Sequence, residues 1–398
     1  MLIEILVILF AGVIAGTFTG LIPGIHVNLI GAILISLTAT STLYQINPIY
    51  IAVFIVSMAI THTFVDFIPS VFLGCPDTDT ELSILPGHEL LIKGKGYEAV
   101  MLTNYGSLAA VFILALISYP SIILISKTFD IIKEIIPFLL VAVSFALVFS
   151  EKYKFKALFV FLISGFLGFS VLNTFENSDK FLLPLLTGLF GSSMLLISIR
   201  NKTKIPKQKI TKPKTKILKP LLGAVIASPI CSFLPGLGSG QAAIIGNSIS
   251  QTDIKGFLVL LGATNTLVMG FSFITLYIIS RTRTGAAVAV QEILGSITEN
   301  ILILIIVAII ISGIISFFIV KYITIFFSQK MEKVNYTKIS IVTLILLVII
   351  VFLVSGFFGL AVLIISTLTG IYSISLKVRR TNMMGCLIVP VILFYLFA

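Results

Sequence analysis

Apolar runs of about 18–25 residues recur from one end of this 398-residue chain to the other. Hydrocarbon about 30 Å thick takes about 20 helical residues to cross, so each run has the length of one passage. Only 11% of the residues are charged and 58% are hydrophobic, too little polar surface for a soluble domain. The alternating ten-residue strands of a porin-like barrel do not occur. The fold class expected is an all-α polytopic membrane protein. The first run, 2–22, contains Glu4 and lacks a basic leader or a small-residue cleavage site, so it reads as a span rather than a signal peptide.

The net charge of +11 is concentrated. The stretch 200–219, "RNKTKIPKQKITKPKTKILK", holds nine Lys and Arg and no acidic residue. In the middle of so apolar a chain this reads as a cytoplasmic linker under the positive-inside rule, near anionic lipid headgroups, and not as a nucleic-acid footprint. It separates an N-terminal transmembrane repeat, 1–199, from a C-terminal one, 220–398.

Each side reads as about seven apolar segments, the second of each short enough to be re-entrant. Seven crossings would turn the second half upside down. The loops follow that rule. After the fifth segment, half one has basic "EKYKFK" (151–156) and half two has uncharged "SGFFG" (355–359). After the sixth, half one has acidic "NTFENSDK" (173–180) and half two has basic "KVRR" (377–380). Two inverted-topology repeats are expected, as in many secondary transporters.

Both halves carry a break of the form G-x-x-x-G-x-x-P-G. Half one has Gly16, Gly20, Pro23 and Gly24; half two has Ala227, Cys231, Pro235 and Gly236. Proline removes a backbone donor and glycine lets backbones approach. A broken helix at membrane depth survives only where protein or a water-filled cavity surrounds it. The N–H groups of the helix that restarts attract an anion. His26 and Asn28 follow the first break; Ser239, Gln241 and Asn247 follow the second. A proline kink with small-residue packing competes for either copy alone; the recurrence favours a paired site.

A second pair follows the third segments. "GCPDTDTELSILPGHELLIKGKG" (74–96) holds Asp77, Asp79 and Glu81, while "SRTRTGAAVAVQE" (280–292) holds Arg281 and Arg283. Arginine can clamp a carboxylate, and grouped carboxylates can hold Na⁺ or relay a proton; both stretches also read as solvated loops. "ATNT" places Thr264, Asn265 and Thr266 inside a span, either bonding a neighbouring helix or lining a path. His62 and Asp66, at i and i+4, read as a local pair or a proton relay. His88, in a Gly/Lys-rich stretch, reads as a surface residue.

Cys75, Cys231 and Cys386 are far apart and without ligand spacing, so neither a metal site nor a disulfide framework is expected. No P-loop, H-E-x-x-H or G-x-S-x-G occurs, so direct ATP coupling and an intramembrane enzyme are not expected.

On these motifs the chain resembles the TctA family, the large permease subunit of tripartite tricarboxylate transporters, in its short archaeal-type branch. The match runs through 16–24, the 74–96 stretch with Pro86-Gly87-His88 where the family often has Asp-Gly-Tyr and "KGKG" at its basic K-x-G-K, "FLPGLGSG", and "ATNT" in place of an Asn pair. Arg281 and Arg283 stand where the family has a Pro-Gly-Ser-like loop. The resemblance implies a permease that works with a soluble binding protein and a small membrane subunit. Polyprenyl-phosphate transporters also carry duplicated Pro-Gly-x-Ser-Gly elements and give the alternative reading.

Together these features predict a plasma-membrane secondary transporter of a small organic anion, a carboxylate, with no cofactor beyond coupling Na⁺ or H⁺. Pro23, Gly24, His26, Asn28, Pro235, Gly236, Ser239, Gln241, Thr264, Asn265, Arg281 and Arg283 are expected to hold the substrate. Asp77, Asp79 and Glu81 are expected to hold the coupling ion. A homo-oligomer is compatible with this reading.

Overall fold

A computed structural model of the chain describes residues 2–22, 47–74, 80–174, 179–201, 205–233, 237–280, 282, 284–330 and 335–397. Every regular element among them is helical. That follows from the solvent: in hydrocarbon each backbone N–H and C=O must be answered within its own segment. Nine helices among the described residues are long and apolar enough to cross a membrane.

The chain runs α1 (Leu2–Leu21), α2 (Pro48–Val65), α3 (Phe67–Leu73), α4 (Ile84–Ile92), α5 (Gly96–Phe149), α6 (Lys154–Thr174), α7 (Asp179–Leu186) and α8 (Ser193–Arg200). After the linker come α9 (Leu218–Phe233), α10 (Ser239–Ser250), α11 (Ile254–Ile279), α12 (Gly285–Leu294), α13 (Glu299–Lys330), α14 (Tyr336–Ser375) and α15 (Gly385–Phe397). Local chemistry sets several ends. Asn47 caps α2 by accepting from Ile49 N at 3.0 Å, with Pro48 at the first helical position. Asp253 caps α11, its carboxylate 2.8 Å from Gly256 N. Gly356, at φ 62°, separates the two apolar segments that α14 joins. The short second segment of half two is α10, a 12-residue helix. At 1.5 Å per residue it is about 18 Å long, well short of a crossing.

Two short helices correct the reading of the paired stretches as solvated loops. Residues 84–92 form α4 and 285–294 form α12, the latter capped by Thr284.

The helices gather into two compact units, each built from both sides of the linker. Unit 1 is Met1–Ile68, Met101–Ile132 and Lys214–Thr324; unit 2 is Pro69–Val100, Lys133–Pro213 and Ile325–Ala398.

In unit 1, α1 turns large side chains outward and small ones inward. Ile3, Val7, Phe10, Ile14 and Phe18 form an exposed apolar face. On the opposite face Gly12, Gly16 and Gly20 lie against α2. A Cβ at Gly12 would stand 2.5 Å from Phe54 O, and one at Gly16 would stand 2.7 Å from Thr61 Cβ. Lipid tails are as apolar as leucine, so membrane helices gain by backbone approach instead. The small residues of the first break therefore pack helices, as the competing reading of that motif holds. In half two Gly223 meets α10 at Gly246, where a Cβ would stand 2.5 Å from Gly246 O. Ala227 and Cys231 are both buried one and two turns further on. In unit 2, α6 packs on α15 in the same manner, through Gly165 against Val389.

The linker is anchored within unit 2. Gln208 is buried, accepts from Gly96 N at 2.7 Å and donates to Leu91 O at 3.1 Å. Lys209 N adds a bond to Gly94 O at 2.8 Å.

Candidate functional site

Unit 1 contains a seam of polar side chains inside its spans. From Ile51 onward nearly every side chain of α2 is buried, so whatever polar groups it carries must find partners in protein. Its last turns carry Thr61, His62, Thr63 and, at the junction with α3, Asp66. Ser316 of α13 donates to Thr61 Oγ1 at 2.9 Å. His62 Nδ1 is 3.0 Å from Thr19 Oγ1 of α1. Thr63 Oγ1 is 3.1 Å from Thr266 Oγ1 of α11. Asn265 donates from Nδ2 to Asp66 Oδ2 at 2.9 Å and reaches Thr63 O at 3.4 Å. Asp66 is 2% exposed and Asn265 3%.

The seam joins helices from both sides of the linker. Ser107 of α5 adds a bond to Gly262 O of α11 at 3.0 Å, and Asn104 donates to Phe317 O of α13 at 3.0 Å. An ionisable carboxylate enclosed in a span is expensive when charged, so it has to be paired or neutralised there.

Of the sequence-predicted substrate residues, Asn265 lies in this seam. Thr264, one residue earlier, turns to its own helix and donates to Leu260 O and Leu261 O, both at 3.0 Å. Ser239 is buried and opens α10. Gln241 caps that helix, its Oε1 accepting from Gly238 N at 2.8 Å. Asn247, at the other end of α10, accepts from Thr252 N at 3.1 Å and so shapes the following turn. Pro23, Gly24, His26, Asn28, Pro235, Gly236, Arg281 and Arg283 lie outside the described residues, as do the coupling-ion candidates Asp77 and Asp79. Glu81 is described; it is 1% exposed and belongs to unit 2.

The sequence presents His62 and Asp66 as a local pair or a proton relay on one helix. The fold also brings each against another helix, His62 against Thr19 and Asp66 against Asn265. The available signal was an Asp and a His inside an apolar run of span length.

A second correction concerns His88. It is not a surface residue: it is 2% exposed, with Nδ1 3.4 Å from Tyr336 OH. Burial first, and then the nearby Arg380 guanidinium, lowers its pKa to about 4. Cys231 and Cys386 are buried and in no disulfide, as small packing residues are expected to be; Cys75 is outside the described residues. No group of three or more metal-ligating side chains occurs among the described residues.

A relative from Methanocaldococcus jannaschii, itself an uncharacterized protein, is 35% identical over 408 residues, covering 98% of this chain and 99% of its own. No solved structure matches. The family model for the tripartite tricarboxylate transporter TctA family matches residues 6–385. With nearly the whole chain matched, the protein belongs to the tripartite tricarboxylate transporter TctA family.

Proposed function

We propose that this chain is a secondary transporter for a small carboxylate anion, driven by H⁺ or Na⁺. The observation that carries the coupling is the Asp66–Asn265 hydrogen bond inside two spans. A buried carboxylate relieves its desolvation by taking up a proton or a cation, and Asn265 can hold Asp66 in either state. The anion is held where the two Pro-Gly breaks interrupt their helices. The start of α10 offers it backbone N–H groups and the positive end of a helix dipole.

Alternating access comes from two inverted repeats flanking a cytoplasmic linker in the cell membrane. Contacts inside unit 2 support that arrangement. Arg379 reaches Glu151, so loops 377–380 and 151–156 share one end. Ser355 donates to Lys180 O at 2.6 Å, so loops 355–359 and 173–180 share an end. Each pairing joins the loop after segment five of one half to the loop after segment six of the other, as inversion requires. Equal orientation would bring like-numbered loops together. The family's tripartite description supports a soluble binding protein and a small membrane subunit as partners.

Uptake into proteoliposomes tests the reading. Labelled citrate is expected to accumulate under an imposed Na⁺ or pH gradient, and Asp66→Asn is expected to abolish accumulation while the protein still folds. Gradient-driven uptake unchanged in that variant defeats the coupling assignment. Movement of a short-chain polyprenyl phosphate without any carboxylate uptake defeats the transport assignment.

A further inference from the structure

Arg380 opens a 3₁₀ turn, Arg380–Met384, at the entrance to α15 in unit 2. Its neighbour Arg379 turns out to Glu151, whereas Arg380 turns in and is 8% exposed. A guanidinium carries five N–H donors in a planar fork. Buried arginines normally meet a carboxylate, because desolvating the charge is otherwise uncompensated. Among the described residues Arg380 meets only Phe190 O, at 3.4 Å, and Met194 Sδ, at 3.1 Å. The first is a long hydrogen bond and the second a weak acceptor.

The surroundings present further donors. Phe190 belongs to a π-helical turn, Thr187–Ser192, between α7 and α8. Such turns break the regular ladder of a helix and recur at functional sites. Ser192 of that turn has a buried hydroxyl with no hydrogen-bond partner among the described residues. His88 lies within electrostatic reach of Arg380, with the Tyr336 hydroxyl beside its ring. Held neutral, His88 keeps one ring N–H to donate. The acidic neighbour is Glu81, whose turn, Glu81–Ser83, packs against the π turn.

We propose that Arg380 anchors a buried carboxylate-binding site in unit 2, its guanidinium taking the anion bidentately near the imidazole of His88. This site is additional to the one assigned to the Pro-Gly breaks, and it rests on the reading that the cargo is a carboxylate. Fork-to-fork geometry favours a planar carboxylate over a spherical anion.

The test uses the full chain purified in detergent, with no gradient, so that it stands apart from transport. Phenylglyoxal labelling mapped by mass spectrometry gives a readout at the residue itself. Citrate is expected to protect Arg380 from labelling while leaving the exposed Arg379 unprotected; chloride is expected to protect neither, and inorganic phosphate less than citrate. By calorimetry, Arg380→Met is expected to remove one citrate-binding event, and Arg380→Lys to weaken it at least tenfold by keeping the charge without the fork. No citrate-dependent change at Arg380 overturns the proposal even if Arg380→Met does not fold. Protection by phosphate but not citrate overturns the choice of a carboxylate. Should citrate protect Arg380 while gradient-driven uptake fails, the transport reading falls and this site stands. Should uptake proceed while Arg380 ignores citrate, this site alone falls.

Discussion

Arg379 donates from Nε to Glu151 Oε1 at 2.6 Å, and its backbone N–H reaches the same oxygen at 3.2 Å. The arginine is largely exposed, so the pair contributes only about 0–1 kcal/mol. Its value is topological, since it fixes which ends of the chain lie on the same side. In a cysteine-free background, Lys152→Cys and Lys377→Cys are expected to react with a membrane-impermeant maleimide from the cytoplasmic face. Lys180→Cys and Ser355→Cys are expected to react from the opposite face. Labelling of all four from one side would remove the inverted arrangement.

The bond between Asp66 and Asn265 gives a second expectation. Removing the donor from a buried carboxylate costs about 1–3 kcal/mol, so Asn265→Ala should lower the thermal midpoint measurably. Asp66→Asn keeps shape and hydrogen bonding, and should leave that midpoint nearly unchanged while gradient-driven uptake falls at least about tenfold. Adding Asn265→Ala to Asp66→Asn should cost less than the two single changes summed. Full additivity of the stability changes would mean the two residues act independently.

Packing of α1 on α2 gives a third. Gly16→Ala forces a methyl group against Thr61 and should cost about 1–3 kcal/mol, with Gly16→Leu preventing assembly. Phe18→Ala on the outward face of the same helix should change stability little, because lipid replaces the lost contact. Thermal midpoints of the variants in detergent, compared with yield in membranes, settle the contrast. Equal effects at both positions would show that the glycine face does not bear the contact.

A fourth concerns His88, with a folded pKa near 4 against an ordinary 6.5. Between these values the unfolded chain binds a proton that the folded chain refuses. Stability is therefore complete above pH 6.5 and falls as pH drops toward 4, by about 3 kcal/mol at most. The groups facing the imidazole are Arg380 and Tyr336; on its own helix Glu89 pairs with Lys93. His88→Gln is expected to flatten the midpoint-versus-pH curve across that window. An unchanged acid slope assigns the loss to other groups.

The chain's helices were legible in its sequence because one physical quantity, apolar length, sets both. α11 falls where the apolar run 254–279 predicts it, and Gly356 divides the two segments read at 339–376. The polar seam was half legible. Asn265 and Asp66 each stood out inside an apolar run, but their pairing spans 199 positions, and no local spacing encodes it. His88 was misread because Gly and Lys around it suggest water, whereas the fold brings Tyr336, 248 positions away, against it. Arg380 gave no signal at all: in "KVRR" it is indistinguishable from Arg379, and only the fold turns one outward and the other inward.

Gln241 fills a place that the reading of the second break reserves for an anion. Its side-chain oxygen already accepts the Gly238 N–H. Were the proposed anion to dock at the head of α10, it would compete there with a tethered stand-in present at high local concentration. The same proposal makes the Gln241 amide a threshold: an anion would have to outbid it for the Gly238 donor.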